Sequence, residues 1–81
     1  MVQVVLWGSL KRAAHGKSEV EVEAADIRQL LARLGEAYPD LKPQLDRGVS
    51  ISIDGLIYTN NGFQPIRPTS EVVLLPKLAG G

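Results

Sequence analysis

Glu71-Val72-Val73-Leu74-Leu75-Pro76 decides the fold of this 81-residue chain. Its nearly continuous apolar run is the pattern of a central strand buried on both faces, and Pro76, which has no ladder donor, stops it. A central strand this late in the chain needs neighbours from earlier segments on either side. Immediately upstream, Val49, Ile51 and Ile53 alternate with Ser50 and Ser52 as a strand with one core face. Asp54-Gly55 then joins it to Leu56-Ile57-Tyr58-Thr59, and Asp-Gly between two β-rich runs signals a two-residue hairpin. At the other end, Val2 to Trp7 is rich in β-branched and aromatic residues and stops at Gly8-Ser9. Ser18 to Glu23 sets Glu19, Glu21 and Glu23 against Val20 and Val22 and pairs naturally with that first strand. The three acids form the exposed, charge-protected face of an edge strand.

Between these strand pairs lies the only clear helix. Asp26 can cap its first turn, with Gln29 three residues on in the capping-box position. Ile27, Leu30, Leu31 and Leu34 fall at i, i+3, i+4 and i+7, one apolar stripe that packs on a sheet. Gly35 weakens the last turn and Tyr38-Pro39 stops the helix; Leu41 to Leu45 can form one further turn. Lys11, Arg12, His15, Gly16 and Lys17 are read as a basic loop, Asn60-Asn61-Gly62 as a loop and Phe63 to Pro68 as irregular. The expected architecture is α+β: a mixed sheet of four to five strands, one main helix laid across it, and first and last strands as parallel neighbours.

Composition narrows the function. A chain this short is one domain that buries about 60% of its unfolded surface. It has no cysteine, hence no disulfide framework, thiolate metal site or cysteine nucleophile of its own. Nine basic and nine acidic residues balance, which argues against a nucleic-acid binder and a polybasic membrane surface and leaves a protein partner as the better expectation. The apolar start lacks a basic leader and reads as a strand, no run approaches a membrane span, and a cytoplasmic location is expected. His15, the sole histidine, stands apart from any acidic cluster in the sequence, so no metal or catalytic role is assigned to it.

Downstream of the deciding strand the chain runs Lys77-Leu78-Ala79-Gly80-Gly81. At average glycine usage of about 7%, two terminal glycines arise by chance in roughly 0.5% of chains. Without Cβ atoms, Gly80-Gly81 can pass through a channel too narrow for side chains and present a carboxylate to another protein's active site. That carboxylate is a poor electrophile until activated, and adenylation with ATP is the obvious route. The resulting mixed anhydride on Gly81 is open to a sulfur nucleophile, giving a thiocarboxylate, or to an amine, giving an amide. The plain alternative is a frayed end. Leu75, Pro76 and Leu78 flank this tail as candidate docking residues. Leu75 is read first as the last core position of the strand and Pro76 as its stop, whereas Leu78, outside the sheet, is as readily a docking residue. Trp7 is expected to be packed, with an interface anchor as the alternative.

In this order and spacing, the chain resembles the β-grasp sulfur carriers of the ubiquitin-like superfamily, the MoaD/ThiS family, and within it most of all the MoaD branch of molybdopterin synthase small subunits. The resemblance rests on Val2 to Trp7, Leu30-Leu31 followed by Tyr38-Pro39, Ile53-Asp54-Gly55, Glu71 to Pro76 and the terminal Gly-Gly. Trp7, where the branch has a smaller residue, Asp54 in place of the more usual asparagine, and the stretch Asn60 to Pro68 depart from its pattern. The resemblance implies a β-grasp domain over residues 1–76 and a flexible tail over 77–81. It implies a non-catalytic carrier that binds no cofactor. An E1-like enzyme would adenylate Gly81 with ATP, and a persulfide donor would convert it to a thiocarboxylate. The tail, with Ala79 and Gly80, would then enter the large molybdopterin synthase subunit or another sulfur acceptor. Carriers for thiamine synthesis or tRNA thiolation, and modifiers conjugated to lysines through the same glycine, share this tail, so the tail alone leaves these alternatives open.

Overall fold

The computed structural model describes residues 1–58 and 62–76. In chain order these form β1 (Val2–Leu6), α1 (Ser9–Ala13), β2 (Glu19–Val22), α2 (Ile27–Ala37), a 3-10 turn (Pro39–Leu41), α3 (Lys42–Arg47), β3 (Val49–Ile53), β4 (Leu56–Tyr58) and β5 (Val72–Pro76). The strands make one five-stranded sheet in the order β2-β1-β5-β3-β4. β5 is inserted between the two strand pairs, parallel to β1 and antiparallel to β3. This is the mixed β-grasp sheet expected from the sequence, with α2 as the main helix across it.

Local chemistry explains most elements. The β3–β4 turn has positive φ at both central residues, Asp54 (51°) and Gly55 (89°), the geometry that Asp-Gly tolerates and that matches the twist of paired strands. The Asp54 carboxylate does more than fit the turn. Its Oδ1 accepts a hydrogen bond from the Glu71 N–H at 2.9 Å, while the Asp54 N–H donates to the Glu71 carbonyl, also at 2.9 Å. One aspartate thus closes a hairpin and fixes the start of the central strand.

Asp26 caps α2 as expected, its Oδ1 accepting from the Gln29 N–H at 2.8 Å. Gln29 reaches back one residue further than a capping box requires, its Oε1 accepting from the Ala25 N–H at 2.9 Å. The irregular segment 62–66 completes the cap: Ile27 N–H donates to the Gln64 carbonyl and Arg28 N–H to the Gly62 carbonyl. Helix starts leave such donors unpaired unless something outside the helix accepts them.

Ile27, Leu30 and Leu34 are buried against Val2, Val4, Leu6, Val20, Val22, Val49, Ile51, Ile53, Val72 and Leu74. The stripe read from the sequence therefore covers the inner face of the sheet, with Leu31 only half-buried at its margin.

The structure corrects the sequence reading of these elements at three places. The basic loop contains a short helix, α1, because Leu10 and Ala14, one turn apart, are both buried in the core while Lys11 and Arg12 stay in water. The expected single turn at Leu41 to Leu45 is a 3-10 turn followed by a six-residue helix, with Leu41 fully buried. Finally, β5 is central but buried on one face only. Val72 and Leu74 point into the core, whereas Val73 and Leu75 are half-exposed because, among the described residues, no second layer covers the outer side of the sheet.

Candidate functional site

The candidate site lies where β5 ends. Pro76, the last described residue, pairs with Val49, the first residue of β3, so the end of β5 sits beside the close of α3 and the start of β3. On the other flank the β1 ladder runs one residue past the strand: the Trp7 N–H donates to the Leu74 carbonyl at 3.1 Å. Gly8 follows with φ +62° and ψ −133°, a region costly for any residue with a Cβ. A Cβ at Gly8 would also sit 3.4 Å from Pro76 Cγ. Glycine here lets the chain turn into α1 directly against the proline from which residues 77–81 depart.

The corner is tied down. Ser9 Oγ donates to Gln44 Oε1 at 2.7 Å, and Gln44 Nε2 donates to the Ser9 carbonyl at 3.2 Å, joining α1 to α3. Further round, the His15 Nε2 lies 3.8 Å from an Asp40 carboxylate oxygen with both side chains exposed, and the Lys17 ammonium sits 5.7 Å from the Tyr38 ring centroid. His15 thus has an acidic neighbour that its sequence surroundings did not show, in an open surface pair. Among the described residues no three His, Asp or Glu side chains gather as a metal set.

Leu75 and Pro76 belong to the described residues and are half-buried at this corner. Leu78, Ala79, Gly80 and Gly81 lie outside them. Trp7 is a correction: it is 55% exposed. Strand alternation explains this, since Val2, Val4 and Leu6 point inward and Trp7 continues the outward set of Gln3 and Val5. The β1–β5 register sets Val5 beside Val73, and the same parallel step brings Trp7 level with Leu75. An apolar patch of Trp7, Val5, Val73 and Leu75 therefore runs along the bare face up to the point of departure. Sequence reasoning missed this patch and the role of Gly8; period-2 counting from Leu6 was the signal that could have found Trp7.

What the described residues of the corner offer is a firmly held end of β5 next to an exposed aromatic and aliphatic surface, which suits docking.

The model of the ThiS family matches residues 4–81 of the chain. No curated protein matches it significantly in sequence. Among solved structures, a chain of the Amycolatopsis orientalis BexX/CysO complex is similar with a TM-score of 0.79 at 17% identity, covering 100% of both chains. SAMP1 from Haloferax volcanii is similar with a TM-score of 0.77 at 22% identity, covering 99% of this chain and 98% of that one. A chain of the complex of subunits 1 and 2 of the molybdopterin-converting factor from Helicobacter pylori is similar with a TM-score of 0.69 at 25% identity, covering 99% of this chain and 97% of that one.

Proposed function

The chain belongs to the ThiS family, ubiquitin-like carriers of the ThiS and MoaD type, and from that membership we propose that it is a sulfur carrier loaded as a thiocarboxylate on Gly81, acting in molybdopterin biosynthesis. The observation that carries the reading is that the family match runs to residue 81 and so takes in the diglycine. The likeness at 25% identity to a chain of the Helicobacter pylori molybdopterin-converting factor complex supports this acceptor, and the equal identity to small archaeal modifier protein 1 from Methanosarcina acetivorans keeps conjugation to lysines as the alternative. Residues 1–76 serve as the β-grasp body and 77–81 as the working tail, in the cytoplasm.

In this reading an E1-like partner supplies the catalysis and this chain is its co-substrate. The Gly81 carboxylate attacks the α-phosphorus of ATP and displaces pyrophosphate, giving an acyl adenylate. The terminal sulfur of a persulfide attacks that carbonyl and AMP leaves. That step makes a C–S bond and gives an acyl disulfide; a thiol then attacks the donor's sulfur and cleaves the S–S bond carried over from the persulfide, leaving the thiocarboxylate on Gly81 and a disulfide between that thiol and the donor. Because this chain has no cysteine, the persulfide and the thiol both belong to partners. The thiocarboxylate then gives its sulfur to a pterin precursor held by a large subunit.

Geometry limits how those partners bind. Five extended residues reach at most about 18 Å beyond Pro76, so each partner must seat against this end of the sheet while its active site receives Gly81. Trp7, Val5, Val73 and Leu75 are the apolar surface within that reach, with Pro76 at its rim and Leu78 as the docking residue of the tail itself.

The deciding experiment is the intact mass of the untagged chain isolated from its own host, with and without a thiocarboxylate-reactive reagent. The expected species carries sulfur in place of one terminal oxygen and is consumed by the reagent. Adducts to other proteins through Gly81 would instead identify a modifier. An unaltered chain in the presence of active E1-like enzyme and sulfur donor would remove both readings.

A further inference from the structure

The two edges of the sheet are built differently. β2, at one edge, carries Glu19 and Glu21 exposed on the outer face, with Glu23 just beyond. At the other edge is β4, where Leu56 is 63% and Ile57 60% exposed, and from residue 55 to residue 66 the sequence has no charged side chain. An edge strand presents unpaired peptide groups that another strand can complete, and charge is the usual guard against it. β2 has that guard and β4 lacks it.

We propose that β4 pairs antiparallel with β4 of a second copy of this chain, about a two-fold axis through Ile57, so that one sheet continues across both copies. The β3–β4 register sets Ile57 beside Ser52 on the outer face and leaves Leu56 and Tyr58 facing the core side. The two-fold then places Ile57 against Ile57 of the second copy and Leu56 against Tyr58 of the second copy. Both are apolar pairings of the kind that favour strand association.

Charge selects this occupant over the other self-pairings. A β2–β2 contact of the same kind would bring two rows of glutamates together. A β4–β2 contact would set Ile57 in line with glutamates and, being head-to-tail, would run on into a ring or an open filament. Only β4 against itself is free of like charge and closes at two copies. Three residues per strand make an interface below the roughly 1,200 Å² of lasting complexes, so the dimer is transient and concentration-dependent. Its axis is perpendicular to the sheet, so both outer faces lie on one side. Both β5 strands keep their places between β1 and β3. The inference is independent of the carrier reading.

The absence of cysteine makes the test clean. Directly opposed strand residues have Cβ atoms about 4.5–5.5 Å apart, near the span of a disulfide. Ile57→Cys is expected to oxidise to a covalent dimer about tenfold faster than Glu21→Cys, because only the first thiol is held against its copy at high effective concentration. In sedimentation equilibrium the natural chain is expected to rise from the 8.8 kDa monomer toward twice that mass and no further. Ile57→Lys, which puts like charges on the axis at an exposed position, is expected to stay monomeric at every concentration. A natural chain that remains monomeric up to millimolar concentration overturns the proposal, as do equal cross-linking rates for the two cysteine variants, or growth beyond a dimer.

Discussion

Neighbouring residues of one strand meet opposite fates in this molecule. Val72 and Leu74 of β5 are completely buried under α2, while Val73 and Leu75, of the same chemical kind and one residue away, lie half-open on the other face. The inner set is explained by stability alone. The outer set, continued by an exposed Trp7, is apolar surface that folding leaves uncovered beside the exit of the chain at Pro76. Residues that fold the protein and residues available to its partners therefore alternate along the same strands.

The largest expected effect tests the inner face. Leu74→Ala should lower unfolding free energy by about 2–5 kcal/mol, the range for truncating a buried leucine, read from denaturant midpoints. Leu75→Ser on the outer face should cost under about 1 kcal/mol by the same measurement; equal losses would erase the distinction between the faces. On the functional side, Trp7→Ala should weaken binding to the activating partner by about 2 kcal/mol, roughly 30-fold, as removal of an aromatic anchor does. Its unfolding midpoint should barely move, and titration calorimetry beside a melt separates the two outcomes. Gly8→Ala sharpens the corner. It forces a Cβ into a glycine-only conformation against Pro76 and should destabilise by about 1–3 kcal/mol, with the loss read by chemical denaturation. In Asp26→Ala, loss of the α2 cap should cost about 1 kcal/mol and leave sulfur loading of Gly81 unchanged in a mass assay.

The parts of this fold that were legible in the sequence are those fixed by local chemistry. Asp54-Gly55 announces a turn because few other pairs accept two positive φ angles, and Asp26 with Gln29 announces a helix start because the unpaired donors there need an acceptor. The central position of β5 was readable from its unbroken apolar run. Its one-sided burial was not, since a run of Val and Leu is the same whether a second layer covers it or a partner does. Trp7 was misread for the same reason: a large aromatic side chain says that it will be covered, without saying by which molecule. α1 was hidden because a single turn leaves only Leu10 and Ala14 to mark an apolar side among four basic residues and glycine. The tail chemistry rests on the two glycines alone and lies outside the described residues, while the surface beside Pro76 needs strand register, a long-range property, to assemble.

Asp54 and β5 also bear on how the protein is made. Until residues 72–76 join the sheet, β1 with β2 and β3 with β4 are two separate strand pairs, with no strand between them. The sheet closes only when its middle arrives, nearly 70 residues after the strand it lies parallel to, and the Asp54 carboxylate waits at the point where that strand must begin. Such long-range closure is slow to nucleate. A chain broken off before β5 would lack the strand that joins the two pairs into one sheet.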